Sequence, residues 1–154
     1  MRYIDMPATP PLTASRARED YLEQIHKLIE GKGYARVVDL AQNLGIAQAS
    51  VTNMIQRLDA DGLVDYEKYR GVVLTEAGLD IARAITDRHE TLTRFLELFG
   101  LDDETIYDDV EGMEHHISES TLEAFRALQE ELARQPAMLG RIRSRMTARS
   151  KKRG

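Results

Sequence analysis

Glu111-Gly112-Met113-Glu114-His115-His116 sets two carboxylates and an imidazole within about one helical turn. On a helix advancing about 100° per residue, Glu114 sits about 60° behind Glu111 and His115 about 40° ahead, whereas His116 lies about 140° away. Three donors therefore share one face, an arrangement that can bind a metal ion, and His116 is not among them. An acidic surface helix with an incidental histidine pair fits the same spacing. The 154-residue chain has no cysteine, which excludes disulfides, thiolate zinc sites, cysteine-ligated iron–sulfur clusters and cysteine nucleophiles. Any metal must be held by oxygen and nitrogen.

The elements that would position such a cluster can be read in order. Residues 1–14 carry Pro7, Pro10 and Pro11 and no periodic pattern, and are read as a loose arm. From about Ser15 to Gly31, Tyr21, Leu22, Ile25, Leu28 and Ile29 recur at helical spacing. Asp20 and Glu23 fall together on the opposite face, where plain solvation explains them, and Glu19 is an equally good neighbour for Glu23. Val37–Leu44 predicts a short helix, Gly45 and Ile46 a tight turn, and 47–60 a second helix with Val51, Met54, Ile55 and Leu58 inward. Leu63 to Lys68 alternates as a strand, and Tyr69-Arg70-Gly71 turns the chain into Val72-Val73-Leu74. Helix, helix, turn, helix and hairpin within about 60 residues is the order of a winged helix-turn-helix DNA-binding domain, placed at 15–75. Helix-turn-helix shapes also serve as protein-interaction modules.

In that geometry the second helix of the motif enters the major groove with its front against base edges. Gln48, Ala49, Ser50 and Asn53 are then the candidate base readers, and Thr52, Arg57, Lys68 and Arg70 the candidate phosphate contacts, which fix register without carrying sequence information. Each could instead be an ordinary solvated side chain. Further on, Thr75 can cap a long helix to about Phe99, with Ile81, Ile85, Leu92 and Leu96 as its apolar stripe and His89 within that stripe. Asp102 starts the helix that bears the opening cluster. Ser120 with Glu123 reads as a capping box for a helix to about Arg134, and Pro136 separates a basic tail. Residues 76–150 thus form a second, helical region, and the fold class is mainly α.

Charge is sorted along the chain. Residues 97–131 hold twelve Asp and Glu against one Arg, and 134–154 hold eight Lys and Arg and no acid, within a net charge of -5. DNA binding depends on charge at the contact face, so the acidic total does not decide against it. No run of 18 apolar residues and no signal-peptide pattern occurs, so no membrane partner is expected and the cytoplasm is the default location.

Several stretches resemble the diphtheria toxin repressor family of metal-activated transcription regulators, specifically its manganese transport regulator branch. They are Glu19-Asp20-Tyr21-Leu22-Glu23-Gln24-Ile25, Lys32-Gly33-Tyr34-Ala35-Arg36-Val37, Tyr66-Glu67-Lys68-Tyr69-Arg70-Gly71, Arg88-His89-Glu90 and Asp109-Val110-Glu111-Gly112-Met113-Glu114-His115-His116. The resemblance runs from about Arg18 to Arg134. It implies metal ligands at Asp20, Glu23, His89, Glu111, Glu114 and His115, choosing Asp20 over Glu19. It further implies two Mn²⁺ ions per subunit, a homodimer formed through the helical region, a double-stranded operator as partner and no small-molecule substrate. Iron-responsive relatives place methionine and cysteine where Asp20 and Glu114 stand, so the donor set favours manganese, and an iron-responsive repressor of the same fold is the alternative. A di-metal carboxylate enzyme is prompted by Glu23-Gln24-Ile25-His26. It fails because such bundles need two Glu-x-x-His elements and this chain has one.

Overall fold

A computed structural model describes residues 12–152. Among these residues, seven helices and one two-stranded sheet follow in the order α1 (Leu12–Lys32), α2 (Val37–Leu44), α3 (Gln48–Ala60), β1 (Val64–Glu67), β2 (Gly71–Leu74), α4 (Glu76–Glu97), α5 (Asp103–Met113), α6 (Glu119–Arg134) and α7 (Pro136–Ser150). Two compact units divide after Ile85, within α4. The helix expected from Ser15 starts at Leu12, and residues 1–11 of the expected arm lie outside the described residues.

In the first unit, Tyr21, Leu22 and Ile25 of α1 pack with Leu40 and Ala41 of α2, Val51, Ile55 and Leu58 of α3, Val64 of β1 and Val72 of β2. Each such aliphatic side chain stabilises the fold by about 1.5–3 kcal/mol when buried. An exposed i,i+4 ion pair contributes about 0.2–0.5 kcal/mol. The apolar stripe of α3, with its three buried side chains, therefore sets the rotation of that helix and with it which residues face outward. Gly45 closes α2 in the left-handed conformation, its N–H donating to the Ala41 carbonyl, and produces the tight turn into α3.

The hairpin is antiparallel, with Val64 opposite Leu74 and Glu67 opposite Gly71. Its strands are offset from the expectation: Leu63 and Lys68 lie outside β1, and Gly71 belongs to β2 rather than to the turn. A third segment, which the sequence pattern does not reveal, joins the sheet by a single bridge: Val72 N donates to the Ala35 carbonyl at 2.9 Å. Gly71 permits that approach, because a Cβ there would lie 2.6 Å from Ala35 O. Behind the hairpin, Thr75 Oγ1 donates to Gly62 O at 2.7 Å and accepts from Gly78 N at 3.2 Å, so Thr75 ties the end of the wing to the loop after α3.

In the second unit, Leu92, Ile106, Val110 and Leu122 form the core, with Leu96, Met113, Ile117 and Phe125 packed against it. Phe95 stacks on Phe125 with ring centroids 4.6 Å apart. Asp102 caps α5, accepting from Thr105 N at 2.9 Å and from the Thr105 hydroxyl at 2.9 Å. Those hydrogen bonds, the backbone one foremost, hold its carboxyl below the ordinary value. The cap is therefore at full strength above the ordinary carboxylate range and is lost as the pH falls through the lowered value.

The N-cap of α6 is Ser118, which accepts from Thr121 N at 3.2 Å, and not the expected Ser120, which lies inside the helix. Both serines begin plausible caps, but only Ser118 has the extended backbone a cap requires. Ser118→Ala is expected to cost about 1 kcal/mol, a fall in thermal midpoint of about 2–4 °C. Ser120→Ala is expected to leave the midpoint within about 1 °C; calorimetry on the two variants distinguishes them. Arg126 of α6 meets Glu119 and Glu123, each at 3.0 Å, and Asp87 of α4. These carboxylates, the Glu119 hydrogen bond first, raise its guanidinium above the ordinary value.

Candidate metal centre and nucleic-acid interface

The opening cluster lies at the end of α5. That helix closes at Met113, and Glu114 is its C-cap, still in right-handed helical conformation, with its N–H donating to the Val110 carbonyl. His115 and His116 continue as a turn, in which His116 N and Ile117 N both donate to the Met113 carbonyl, at 2.9 and 3.1 Å. Glu114 is fully buried and the His115 side chain nearly so, whereas His116 is exposed. The helical phase predicts this division.

His89 of α4 joins the cluster. Its Nδ1 lies 2.7 Å from Glu114 Oε2 and 3.9 Å from Glu111 Oε1, while His115 Nε2 lies 3.3 Å from Glu114 Oε1. Two imidazoles and two carboxylates therefore converge within the second unit. A carboxylate shielded from water is costly to hold without a partner, and the imidazole nitrogens that face its oxygens here make with them a donor set that a cation could share. The donor types, oxygen and imidazole nitrogen without sulfur, suit a divalent transition metal. His89 stands in the stripe where a core histidine is ordinary, and the Glu114 contact gives it a second role.

The other two expected ligands stand on α1 in the first unit. Glu23 is buried, with Oε1 2.8 Å from Lys27 Nζ, and Asp20 is half-buried. The solvated face expected for them from periodicity alone is thus not what Glu23 occupies. Glu19, left open by spacing, is also half-buried.

All eight candidate DNA contacts lie on α3 or the hairpin. Gln48, Ala49, Ser50, Asn53 and Arg57 are exposed on α3, and Thr52 is half-buried beside them. Lys68 and Arg70 are exposed in the wing turn, and Arg70 pairs with Glu67 at 3.0 Å. Two residues not singled out from the sequence share this side. Tyr69 is 94% exposed at the wing tip in the left-handed conformation (φ 76°), under the Lys68 ammonium. Arg36, over the Tyr34 ring, lines with Gln48 and Tyr69 a cleft of about 190 Å³. An aromatic residue between two cations in a hairpin turn is the signal that could have found Tyr69.

Among the described residues no helix is long and apolar enough to cross a membrane. Residues 13–72 match the iron dependent repressor N-terminal DNA binding domain, and 75–139 the iron dependent repressor metal binding and dimerisation domain. The HTH-type transcriptional regulator MntR of Bacillus pumilus (strain SAFR-032) is 53% identical over 105 residues, covering 68% of this chain and 73% of the relative. The protein of the same name from Lysinibacillus sphaericus (strain C3-41) is 43% identical over 129 residues, 84% and 93% of the two chains. Among solved structures, a manganese-dependent transcriptional repressor in complex with manganese matches with a TM-score of 0.66 at 28% identity over 73% of this chain. ScaR with bound Zn²⁺ matches with a TM-score of 0.64 at 28% identity, again over 73%. The chain spans about half the length of these two solved proteins, 52% and 53%. The curated relatives are transcriptional regulators and not enzymes by name. With a winged reading unit, a donor cluster at the end of α5 and these matches along most of its length, the chain belongs to the iron-dependent repressor family, the diphtheria toxin repressor family that its motifs resemble.

Proposed function

We propose that the protein is a manganese-activated transcriptional repressor, a cytoplasmic homodimer that binds a double-stranded operator and shuts off manganese uptake genes when Mn²⁺ is abundant. The observation that carries this reading is the sulfur-free cluster of His89, Glu111, Glu114 and His115. The MntR relatives and the manganese-dependent repressor bound to manganese support it. The proposed ligands are Asp20, Glu23, His89, Glu111, Glu114 and His115, with two ions per subunit, and the boundary between the reading region and the metal-binding and dimerisation region falls at residue 75.

When bound, a divalent ion would supply positive charge that offsets the negative charge of the ligand carboxylates. The protein's part is to choose the ion. Mn²⁺ is the weakest binder of the divalent first-row series, so an oxygen-rich site selects it by geometry and coordination number and not by affinity. Asp20 and Glu23 share a unit with α3, so ligation at α1 is coupled to the element that reads DNA.

The test is the affinity of the full chain for a duplex selected from random sequence, with Mn²⁺, anaerobic Fe²⁺, Zn²⁺ and no metal. Mn²⁺ is expected to activate most. Zn²⁺ is expected to bind tightly yet activate less, because it favours about four ligands. Activation by Fe²⁺ equal to that by Mn²⁺ assigns the protein to the iron-responsive reading instead.

The DNA face makes its own prediction. Asn53→Ala is expected to weaken the selected duplex more than scrambled DNA, by about 1–3 kcal/mol if the amide makes a bidentate base contact. Arg70→Ala is expected to weaken both alike and to flatten the log affinity against log salt slope by about 0.9 for each phosphate it had neutralised. Salt titrations on both duplexes check this; an Arg70→Ala effect confined to the selected sequence overturns the wing assignment.

A further inference from the structure

The segment read as a basic tail is the helix α7, and it is unlike the rest of its unit. None of its residues is buried. Residues beyond 139 lie outside both family matches, and 136–152 contain no acid. Arg94, Arg126 and Arg134 of the same unit each face a carboxylate. Arg141, Arg145 and Arg149 are exposed and face none among the described residues.

Their spacing makes this more than a charge run. Arg141, Arg145 and Arg149 follow one another at four-residue intervals, and Lys152 stands in the turn after the helix. At about 100° per residue these four fall within about 80° of one another, along about 16 Å of axis. Like charges four residues apart on a helix destabilise it, and Gly140 adds to that cost, while Arg143, off this row, ties α7 to the loop after α4 by donating its Nε to Leu98 O at 2.6 Å. A row of mutually repelling cations on an exposed helix is relieved by a linear polyanion. Duplex DNA offers one negative charge per about 1.7 Å of axis.

We propose that α7 is a second DNA-contacting element, in which Arg141, Arg145, Arg149 and Lys152 bind phosphates flanking the operator. The inference rests on the DNA-binding reading above. Linkage to the reading helix favours DNA over other polyanions, because a duplex held by α3 is presented to the rest of the same chain at high effective concentration. The net charge of -5 repels DNA as a whole, so a local row of cations counts for more.

The experiment uses the full chain with saturating Mn²⁺ on two duplexes, a selected core and the same core extended by about one helical turn, roughly 10 bp, on each side. The variants are the fourfold R141S/R145S/R149S/K152S and the charge-keeping threefold R141K/R145K/R149K, with circular dichroism and sedimentation as checks of fold and dimer. On the extended duplex the fourfold variant is expected to flatten the salt slope by about 0.9 for each phosphate left unneutralised, from about 2 for a dimer that loses one contact per protomer to about 7 for one that loses all four. The threefold lysine variant keeps the slope, and on the core duplex all three proteins agree. An unchanged slope on the extended duplex overturns the proposal, as does dissociation of the dimer in the fourfold variant, which assigns α7 to a subunit contact. So does an unchanged slope together with weakened binding to anionic phospholipid vesicles, which assigns it to membranes. If the parent binds neither duplex with any metal, the functional reading itself falls and this inference with it.

Discussion

Glu111→Gln and His115→Ala are each expected to abolish metal-stimulated DNA binding while leaving the chain folded and dimeric. Glu111 and His115 flank the buried Glu114, and His89 reaches both carboxylates. Two carboxylates about 4 Å apart interact by roughly 4 kcal/mol at an effective dielectric near 20. A ligand that favours one state by about 5.5 kcal/mol moves a population from 1:99 to 99:1. A switch built on terms of this size works only while its ligand set is complete, so deleting one donor removes most of the differential binding. His116→Ala is the matched control: its ring is exposed, and substantial activation is expected to persist. Fluorescence anisotropy with and without Mn²⁺ separates the three variants. Normal activation of Glu111→Gln or His115→Ala sinks the ligand assignment. Activation abolished in His116→Ala and retained in His115→Ala shows instead that the helical phase is wrong.

Gly78→Ala is expected to damage the first unit more than any other single methyl added to one of its glycines. A Cβ at Gly78 would lie 1.9 Å from Leu63 O and 2.9 Å from Leu63 C. A backbone carbonyl cannot rotate aside as a side chain can. Thr75 N also donates to that same oxygen at 3.1 Å, so relief of the clash costs the hydrogen bond by which Thr75 ties the end of the wing to the segment after α3. Overpacking of this kind costs about 1–3 kcal/mol or more, a fall in midpoint of about 2–12 °C at about 2–4 °C per kcal/mol. Gly140→Ala in α7, where nothing lies within 4 Å, is expected to be neutral or stabilising by about 0.5–1 kcal/mol. Thermal unfolding of the pair is the measurement; a Gly78→Ala protein as stable as the parent contradicts the contact.

The parts of the fold legible in the sequence are those with a local cause. The stripe of α3 and Gly45 announce the helix-turn-helix, and Asp102 announces α5, because side-chain period and capping act over three or four residues. The Ala35 bridge to Val72 is not legible, since it joins segments far apart in sequence through backbone groups every residue carries. Ser118 and Ser120 are both chemically suited to cap α6, and only the backbone angle decides between them. The arginines of α7 conceal a helix because arginine is a good helix former whose charge reads as solvation. At the site, Glu111, Glu114 and His115 follow from helical phase. His89 comes from another helix, and spacing within one segment cannot say which histidine of a stripe meets a distant carboxylate. Only the resemblance supplies it.

Tyr69 has one more consequence. A left-handed backbone costs an ordinary residue about 1–2 kcal/mol relative to glycine, and the wing turn holds a tyrosine there with its ring in solvent, 94% exposed. The ring stays almost wholly in solvent, and the exposed Lys68 ammonium 5.5 Å from its centroid offsets little of this. Position 69 is therefore a place where folding and surface chemistry pull in opposite directions, and where drift under selection for stability alone would replace the aromatic ring with glycine or asparagine. Among descendants of this chain, one that no longer met its DNA target would be expected to relax at the wing tip before its core began to change.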